Sequence, residues 1–511
     1  VSEQLALLPG LLTAHIQLTL AALLVGTAFS VPAGILATRV RWLQVPALGV
    51  ASVIQTVPSL ALLAIMVPLL AALGLQSIGY LPAFIGLTLY SVLPILRNTV
   101  TGLEGLDPAL IEAARGVGMT PGQQLWRVEL PLAMPVIIAG LRTSTVWTVG
   151  IATLSTPVGA PSLGNYIFSG LQTRNFTAVL VGCVAAAALA LVLDGLVRAL
   201  AVAVERRSRI ASVVVLGVFA GLYAYAGWSA LGTLLERHEE RVKIGAKTFT
   251  EQYILSTILA LQIQDATGLP TEAVQSLGST VAFDALRADQ IDAYVDYTGT
   301  IWATIMHRHD VPEDRTDVLR AVKQYVRDRY SVTLVAALGF ENAYAFAMRD
   351  SEAEELHVRR ISDLTPLAPR LSIGGDYEFF SRSEWRSVRE TYGLQFAQRR
   401  SMDAALMYQA VAQGAVDVIA AFSTDGRIAA LHLRVLEDDR HAIPPYDAVI
   451  LASPRLAREH PEALAALREL SGTIDAESMR RMNLEVDQGG ESPAQVGKAF
   501  IRALRARRGG P

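Results

Sequence analysis

Between Arg41 and Arg97 the chain runs for 55 residues without one Asp, Glu, Lys or Arg. A water-soluble fold has no way to cover so long an uncharged stretch, whereas a bilayer is crossed by about 20 apolar residues. The run therefore reads as two membrane spans, turned at the polar, glycine-bearing segment Gly74 to Tyr80. Gln4 to Thr38 is equally free of charge and lacks a basic leader, so it reads as a retained first span and not a cleaved signal. Apolar runs at Pro135 to Val158, Thr177 to Ala199 and Ile210 to Leu235 bring the count to six.

Charge divides the chain at about residue 236. Residues 1–236 hold 11 Arg, no Lys and 8 acidic residues; residues 237–511 hold 33 Lys and Arg against 39 acidic residues. The first part has the composition of a membrane body, the second that of a soluble globular domain. A net charge of only -3 with no dense basic patch excludes nucleic acid as a partner. The single cysteine, Cys183, excludes an intramolecular disulfide and Cys-based zinc sites. His307 and His309, beside Arg308 and Asp310, read as an exposed helix end, and no metal site is expected.

Basic residues near span ends stay on the cytoplasmic side, which fixes the orientation. Arg39 and Arg41 follow the first span; Arg97, Arg115 and Arg127 lie between the third and fourth; Arg198, Arg206, Arg207 and Arg209 lie between the fifth and sixth. The alternate loops carry only Arg174. Both termini are then expected outside, with residues 237–511 beyond the extracytoplasmic face. Arg142 and Asp194, near the cytoplasmic ends of their spans, are expected to snorkel toward the headgroups.

The loop predicted to lie in the cytoplasm, about residues 107–131, runs Asp107-Pro108-Ala109-Leu110-Ile111-Glu112-Ala113-Ala114-Arg115-Gly116-Val117-Gly118, then nine residues to Val128-Glu129-Leu130-Pro131. Pro108 favours helix initiation and the two glycines end the helix, giving a short helix, a bend and an amphipathic return. The pattern resembles the coupling loop of ATP-binding-cassette importer permeases: EAA, three residues, G, nine residues, I-x-L-P. Glu112, Ala113, Ala114, Gly118, Leu130 and Pro131 match it, and Val128 replaces the Ile. The resemblance implies docking on an ATPase. No G-x-x-x-x-G-K-[ST] occurs in this sequence, so that ATPase, with its ATP and Mg, is expected to be another polypeptide.

After residue 241 short strands alternate with helices: Val242 to Lys247 reads as a strand, Thr250 to Ala266 as a helix, and Ala293 to Tyr297, Leu371 to Gly374, Val416 to Phe422 and Ala448 to Ser453 as strands. Such alternation predicts parallel sheets, two lobes closing on a ligand held at the carboxyl ends of the strands.

Four local sequences make the reading specific: Ile244-Gly245-Ala246-Lys247-Thr248-Phe249-Thr250-Glu251-Gln252, Asp296-Tyr297-Thr298-Gly299-Thr300, Glu341-Asn342-Ala343-Tyr344 and Ser423-Thr424-Asp425-Gly426-Arg427-Ile428. They resemble the binding proteins of quaternary-ammonium importers for glycine betaine, choline and carnitine. Ergothioneine importers share a fused permease and binding-protein layout. The resemblance implies an all-α transmembrane permease of six spans fused to an α/β, two-lobed domain like a periplasmic binding protein.

A trimethylammonium group has no N–H, so hydrogen bonds cannot recognise it, while aromatic faces attract it by roughly 0.5–2 kcal/mol per contact. Carried over residue by residue, the resemblance implies aromatic walls at Tyr297, Tyr344, Phe422 and Tyr446, with Lys247, Thr300 and Arg382 near a ligand carboxylate. Phe422 departs from the family, where a Tyr usually precedes Ser-Thr-Asp-Gly.

The expected protein is a transport subunit without catalytic residues or a cofactor of its own, taking up osmoprotectants of the trimethylammonium class, or ergothioneine. It is expected in a bacterial plasma membrane as two permease copies with an ATPase. A ligand receptor without transport is the competing class; the coupling loop argues against it. A membrane-anchored enzyme would need a nucleophile and base that the sequence does not present.

Overall fold

A computed structural model describes residues 2–172, 175–206, 208–236, 241–308, 314–376 and 379–508. Arg174, Arg207, His309 and Asp310, and the expected boundary at residues 236–237, fall at least partly outside the described residues. The chain divides into two compact units between the helix ending at Glu236 and the strand beginning at Val242.

In the first unit, among the described residues, five helices are long and apolar enough to cross a membrane. Trp42–Thr56 and Ser59–Ala72 meet at 99° and make a sixth span if counted as one. The second predicted span is thus not a continuous helix. Pro58 offers no N–H, and the residue before a proline is pushed out of the helical region; Val57 accordingly has ψ 129°. The Tyr90 hydroxyl donates to the Val57 carbonyl, satisfying a group that the break leaves without a helical partner.

Helix Tyr80–Glu104 packs against both Ser2–Arg39 and Leu130–Ala152. Small residues allow the approach: a Cβ on Gly140 would lie 2.6 Å from Asn98 Cβ and 2.7 Å from the Pro94 carbonyl oxygen. Arg142 and Asp194, expected to snorkel, also pair with each other. Arg142 Nε and Nη2 donate to Asp194 Oδ1 and Oδ2, each at 2.9 Å, joining helices Leu130–Ala152 and Phe176–Glu205. Where water is scarce, bidentate pairing satisfies both ions at once, and neither needs to reach the headgroups alone.

Among the described residues the second unit holds ten strands: β1 Val242–Lys247, β2 Thr271–Leu277, β3 Ala293–Tyr297, β4 Thr333–Glu341, β5 Tyr344–Arg349, β6 Ser372–Gly375, β7 Gln398–Ser401, β8 Val418–Phe422, β9 Leu433–Val435 and β10 Asp447–Ala452. They form two five-stranded sheets, β2-β1-β3-β10-β4 and β7-β6-β8-β5-β9. The chain leaves the first sheet through Asn342 and Ala343 and returns from β9 to β10, so two crossings link two lobes.

The sheets are mixed, not parallel as expected. β10 runs antiparallel to β3 and β4, and β5 antiparallel to β8 and β9. These strands enter their sheets directly from the crossings, without the helical crossover that a parallel neighbour requires. β3 and β10 are buried along their whole length, including Asp296 within β3 and Asp447 at the start of β10.

Candidate functional site

In the loop expected to couple to an ATPase, the Asp107 carboxylate accepts from Ala109 N at 2.9 Å and Pro108 takes the first helical position of Pro108–Gly116. Gly118 turns the chain at φ +79°. Thr120 and Gln123 then form a reciprocal capping box that starts Pro121–Gln124, followed by a π-helical turn, Leu125–Glu129. Glu129 is buried, accepting from Gln124 Nε2 and pairing with Arg39 at the end of the first helix. Glu112, Ala113 and Arg115 are exposed together with Leu110, Val117 and Trp126. Leu130 is buried in the membrane helix that follows. The loop is therefore anchored from within while charged and apolar side chains face outward.

In the second unit a cavity of about 200 Å³ lies between the lobes. Lys247 stands at the end of β1, Tyr297 at the end of β3, Thr300 in the helical turn after it, Tyr344 at the start of β5, Phe422 at the end of β8, and Tyr446 before β10. Arg382 directly precedes helix Ser383–Tyr392. All seven line this one cavity.

The register of the second sheet makes Tyr344 and Phe422 direct cross-strand neighbours, with ring centroids 5.2 Å apart. Tyr446 stands edge-on to Tyr344 at 6.2 Å. Phe249 bridges the lobes: it stacks on Tyr297 and, nearly parallel at 4°, on Phe422, each at 6.2 Å. Such offset faces present the negative side of several rings to one space.

Gly299 lets the Tyr446 ring approach this wall, because a Cβ there would lie 2.3 Å from Tyr446 Cε2 and 2.5 Å from Cδ2. Gly299→Ala must displace that ring. We expect ligand affinity to fall about tenfold or more through loss of one cation–π contact and misplacement of its neighbours, read by calorimetric titration.

Lys247 is placed in the cavity wall, but its ammonium is spent. It pairs with Asp296, and both side chains are almost wholly buried. Asp296 also accepts from the Tyr294 hydroxyl at 2.5 Å and the Tyr297 amide at 2.8 Å. The Lys247 ammonium lies 5.4 Å from the Tyr297 ring centre. Arg382 sits over Tyr344 at 5.7 Å, with Glu384 3.6 Å from its Nη1.

Several functional side chains escaped sequence reasoning. Phe249 and Asn342 stand inside motifs already singled out, and both line the cavity. Asp376, directly after Gly374-Gly375 at the end of β6, and Asp403 have no local signature beyond position at strand ends. Glu251 is fully buried and accepts from Tyr297 Oη at 2.5 Å, Asn342 Nδ2 at 3.0 Å, Thr424 Oγ1 at 2.5 Å and Asn483 Nδ2 at 3.2 Å. These donors come from β3, a crossing, the turn after β8 and helix Ala476–Asp487, so one carboxylate ties both lobes. Burial pushes the Glu251 carboxyl up, and the hydrogen bonds oppose it. Burial, then the charges of Glu251 and Glu384 respectively, drive the Tyr297 and Tyr446 phenols far above their ordinary range, so both stay protonated.

Two lobes around an aromatic cavity, fused to a membrane body, define a binding-protein-dependent transport component. The comparisons agree. Residues 240–503 match the family described as substrate binding domain of ABC-type glycine betaine transport system, and residues 30–210 match binding-protein-dependent transport system inner membrane component. The chain belongs to this ABC transport family, as a permease fused to its substrate-binding domain. An ergothioneine transport permease/ergothioneine binding protein of Helicobacter pylori (strain G27) is 29% identical over 472 residues, covering 89% of this chain and 83% of the relative. A choline transport system permease protein of Bacillus subtilis (strain 168) is 45% identical over 180 residues, 35% of this chain and 80% of that protein. A carnitine transport binding protein of Listeria monocytogenes is 31% identical over 268 residues, 52% of this chain and 87% of that protein.

Proposed function

We propose that this chain imports a trimethylammonium compound, such as glycine betaine, choline or carnitine, in an ATP-driven complex. The observation that carries the reading is the convergence of Tyr297, Tyr344, Phe422, Tyr446 and Phe249 on one small cavity. That surface recognises a permanent cation without hydrogen bonds. Thr300 and Arg382 supply a hydroxyl and a guanidinium for a ligand carboxylate, while Lys247 acts mainly through its pair with Asp296. Ergothioneine is the second reading, favoured by the fused relative that covers most of the chain.

The ligand closes the two lobes around the crossings, and the closed form docks on the permease from outside the membrane. The arginine-rich ends of the spans support the orientation that this requires. Two permease copies would complete a pathway, each loop resting on a separate ATPase that binds ATP and Mg. The exposed face of Glu112, Arg115, Leu110, Val117 and Trp126 is suited to that groove.

Titrating the full chain in nanodiscs with glycine betaine, choline, carnitine and ergothioneine tests the ligand class. Binding of at least one is expected; binding of an unmethylated amino acid instead would end the reading. Transport is tested with the ATPase added. Ligand should stimulate hydrolysis, and Glu112→Lys with Gly118→Val should cut that stimulation at least about tenfold while leaving ligand affinity unchanged. The valine has to adopt a left-handed backbone that costs a β-branched residue about 1–2 kcal/mol. Full stimulation in that variant would reject coupling through the loop, and a failure to bind any ATPase would favour a receptor.

A further inference from the structure

The tyrosines of the cavity share a feature that their sequence neighbourhoods do not announce. Each donates its phenol proton to a buried carboxylate: Tyr297 to Glu251 Oε1 at 2.5 Å, Tyr344 to Asp376 Oδ2 at 2.9 Å, and Tyr446 to Glu384; Asp376 itself lines the cavity. The three acids lie on different elements: Glu251 on helix Thr250–Thr267, Asp376 after β6 and Glu384 on helix Ser383–Tyr392. All three are more than nine-tenths buried.

We propose that Glu251, Asp376 and Glu384 are specificity-determining positioning residues, which hold the three phenols and charge the aromatic cage through them so that it ranks cations above neutral molecules of the same shape. The inference rests on the trimethylammonium reading above.

Two physical consequences support it. A phenol that donates to a carboxylate has its ring held by the hydrogen bond and its proton already engaged, so the π face is what it offers a ligand. Donation to a carboxylate also polarises the phenol O–H bond without removing the proton and enriches the ring in electron density, which strengthens the quadrupole that draws a cation. The field of the acids acts in the same direction. The cations Lys247 and Arg382 stand against Asp296, Glu384, Asp376, Asp403 and Glu251, a formal excess of three negative charges among the groups named. In a low-dielectric enclosure such an excess is felt strongly at the cavity centre. Four donors on the two oxygens of Glu251 suit its ionised form.

The test uses pairs of ligands that differ only in charge: choline with its uncharged tert-butyl isostere, and glycine betaine with the corresponding tert-butyl carboxylate. Binding to the full chain in nanodiscs is measured for wild type, Glu251→Gln, Asp376→Asn and Glu384→Gln. Wild type should prefer the ammonium member by about a hundredfold, and each variant should reduce that preference about tenfold; in Glu384→Gln, whose carboxylate is not part of the cavity lining, isostere affinity should change less than twofold. Tyr446→Phe, which keeps the ring and removes its link to Glu384, should reproduce part of the Glu384→Gln loss. Because Glu251 also ties the two lobes, Asp376→Asn and Glu384→Gln decide the matter if Glu251→Gln unfolds. Equal loss for both members of a pair would mean a purely structural role and would overturn the inference, as would an undiminished preference. Wild type that binds neither ammonium ligand would instead refute the trimethylammonium reading and the inference with it.

Discussion

Asp296→Ala is expected to destabilise the binding domain by about 3–5 kcal/mol, lowering its unfolding midpoint by about 10 °C. The substitution strands the Lys247 ammonium in a site where its side chain is only 4% exposed, and removes the acceptor for the Tyr294 hydroxyl. A buried charge without its partner costs far more than the pair was worth. The paired change Lys247→Met with Asp296→Leu should therefore recover most of the loss. Thermal unfolding of the purified chain, followed by tyrosine absorbance, checks both; equal midpoints for the single and paired variants would show that the ion pair is not the source of the effect.

Tyr344→Ala is expected to lower affinity for a trimethylammonium ligand about a hundredfold, near 2.7 kcal/mol. Tyr344 lies against Phe379, Phe422 and Tyr446, beneath Arg382, and donates to Asp376. Its removal deletes one aromatic face, worth roughly 0.5–2 kcal/mol, and lets the others relax into the space. Tyr344→Phe retains the face and should cost less than about tenfold. Titration of both variants by calorimetry, with a melting curve to establish folding, makes the comparison. Wild-type affinity in Tyr344→Ala would place the ligand elsewhere.

The aromatic wall was legible through the family resemblance, which carried it over by position: Tyr297 and Tyr344 sit in short motifs, Phe422 directly precedes one, and Tyr446 rests on spacing more than on motif. Tyr297 is the last residue of β3, Tyr344 the first of β5 and Phe422 the last of β8, so knowing the strand ends nearly places them. Phe249 was within reach by the same logic. Asp376 and Glu384 were not: Asp376 meets Tyr344 only because the second sheet brings β6, β8 and β5 side by side, and Glu384 on its helix meets Tyr446 across 62 residues of sequence. β2, β4, β5, β7 and β9 were not singled out either. β4 alternates half-buried and buried residues, and β7 is exposed along its length, so neither is a solid apolar run.

By itself the sequence determined that residues 1–236 belong in a membrane, which ends of the spans carry arginine, where the coupling helix begins and ends, and that two lobes follow. These are properties of single residues and their neighbours: transfer from water to lipid, a proline at a helix start and a glycine at positive φ act locally. Tertiary structure alone decided who pairs with whom. Arg142 meets Asp194 across two helices, Lys247 spends its charge on Asp296, and Glu251 gathers donors from four segments. Coulomb attraction and hydrogen bonding depend on distance in space, so the same lysine that reads as a free cation in the sequence becomes a neutralised part of the wall once β1 and β3 lie side by side.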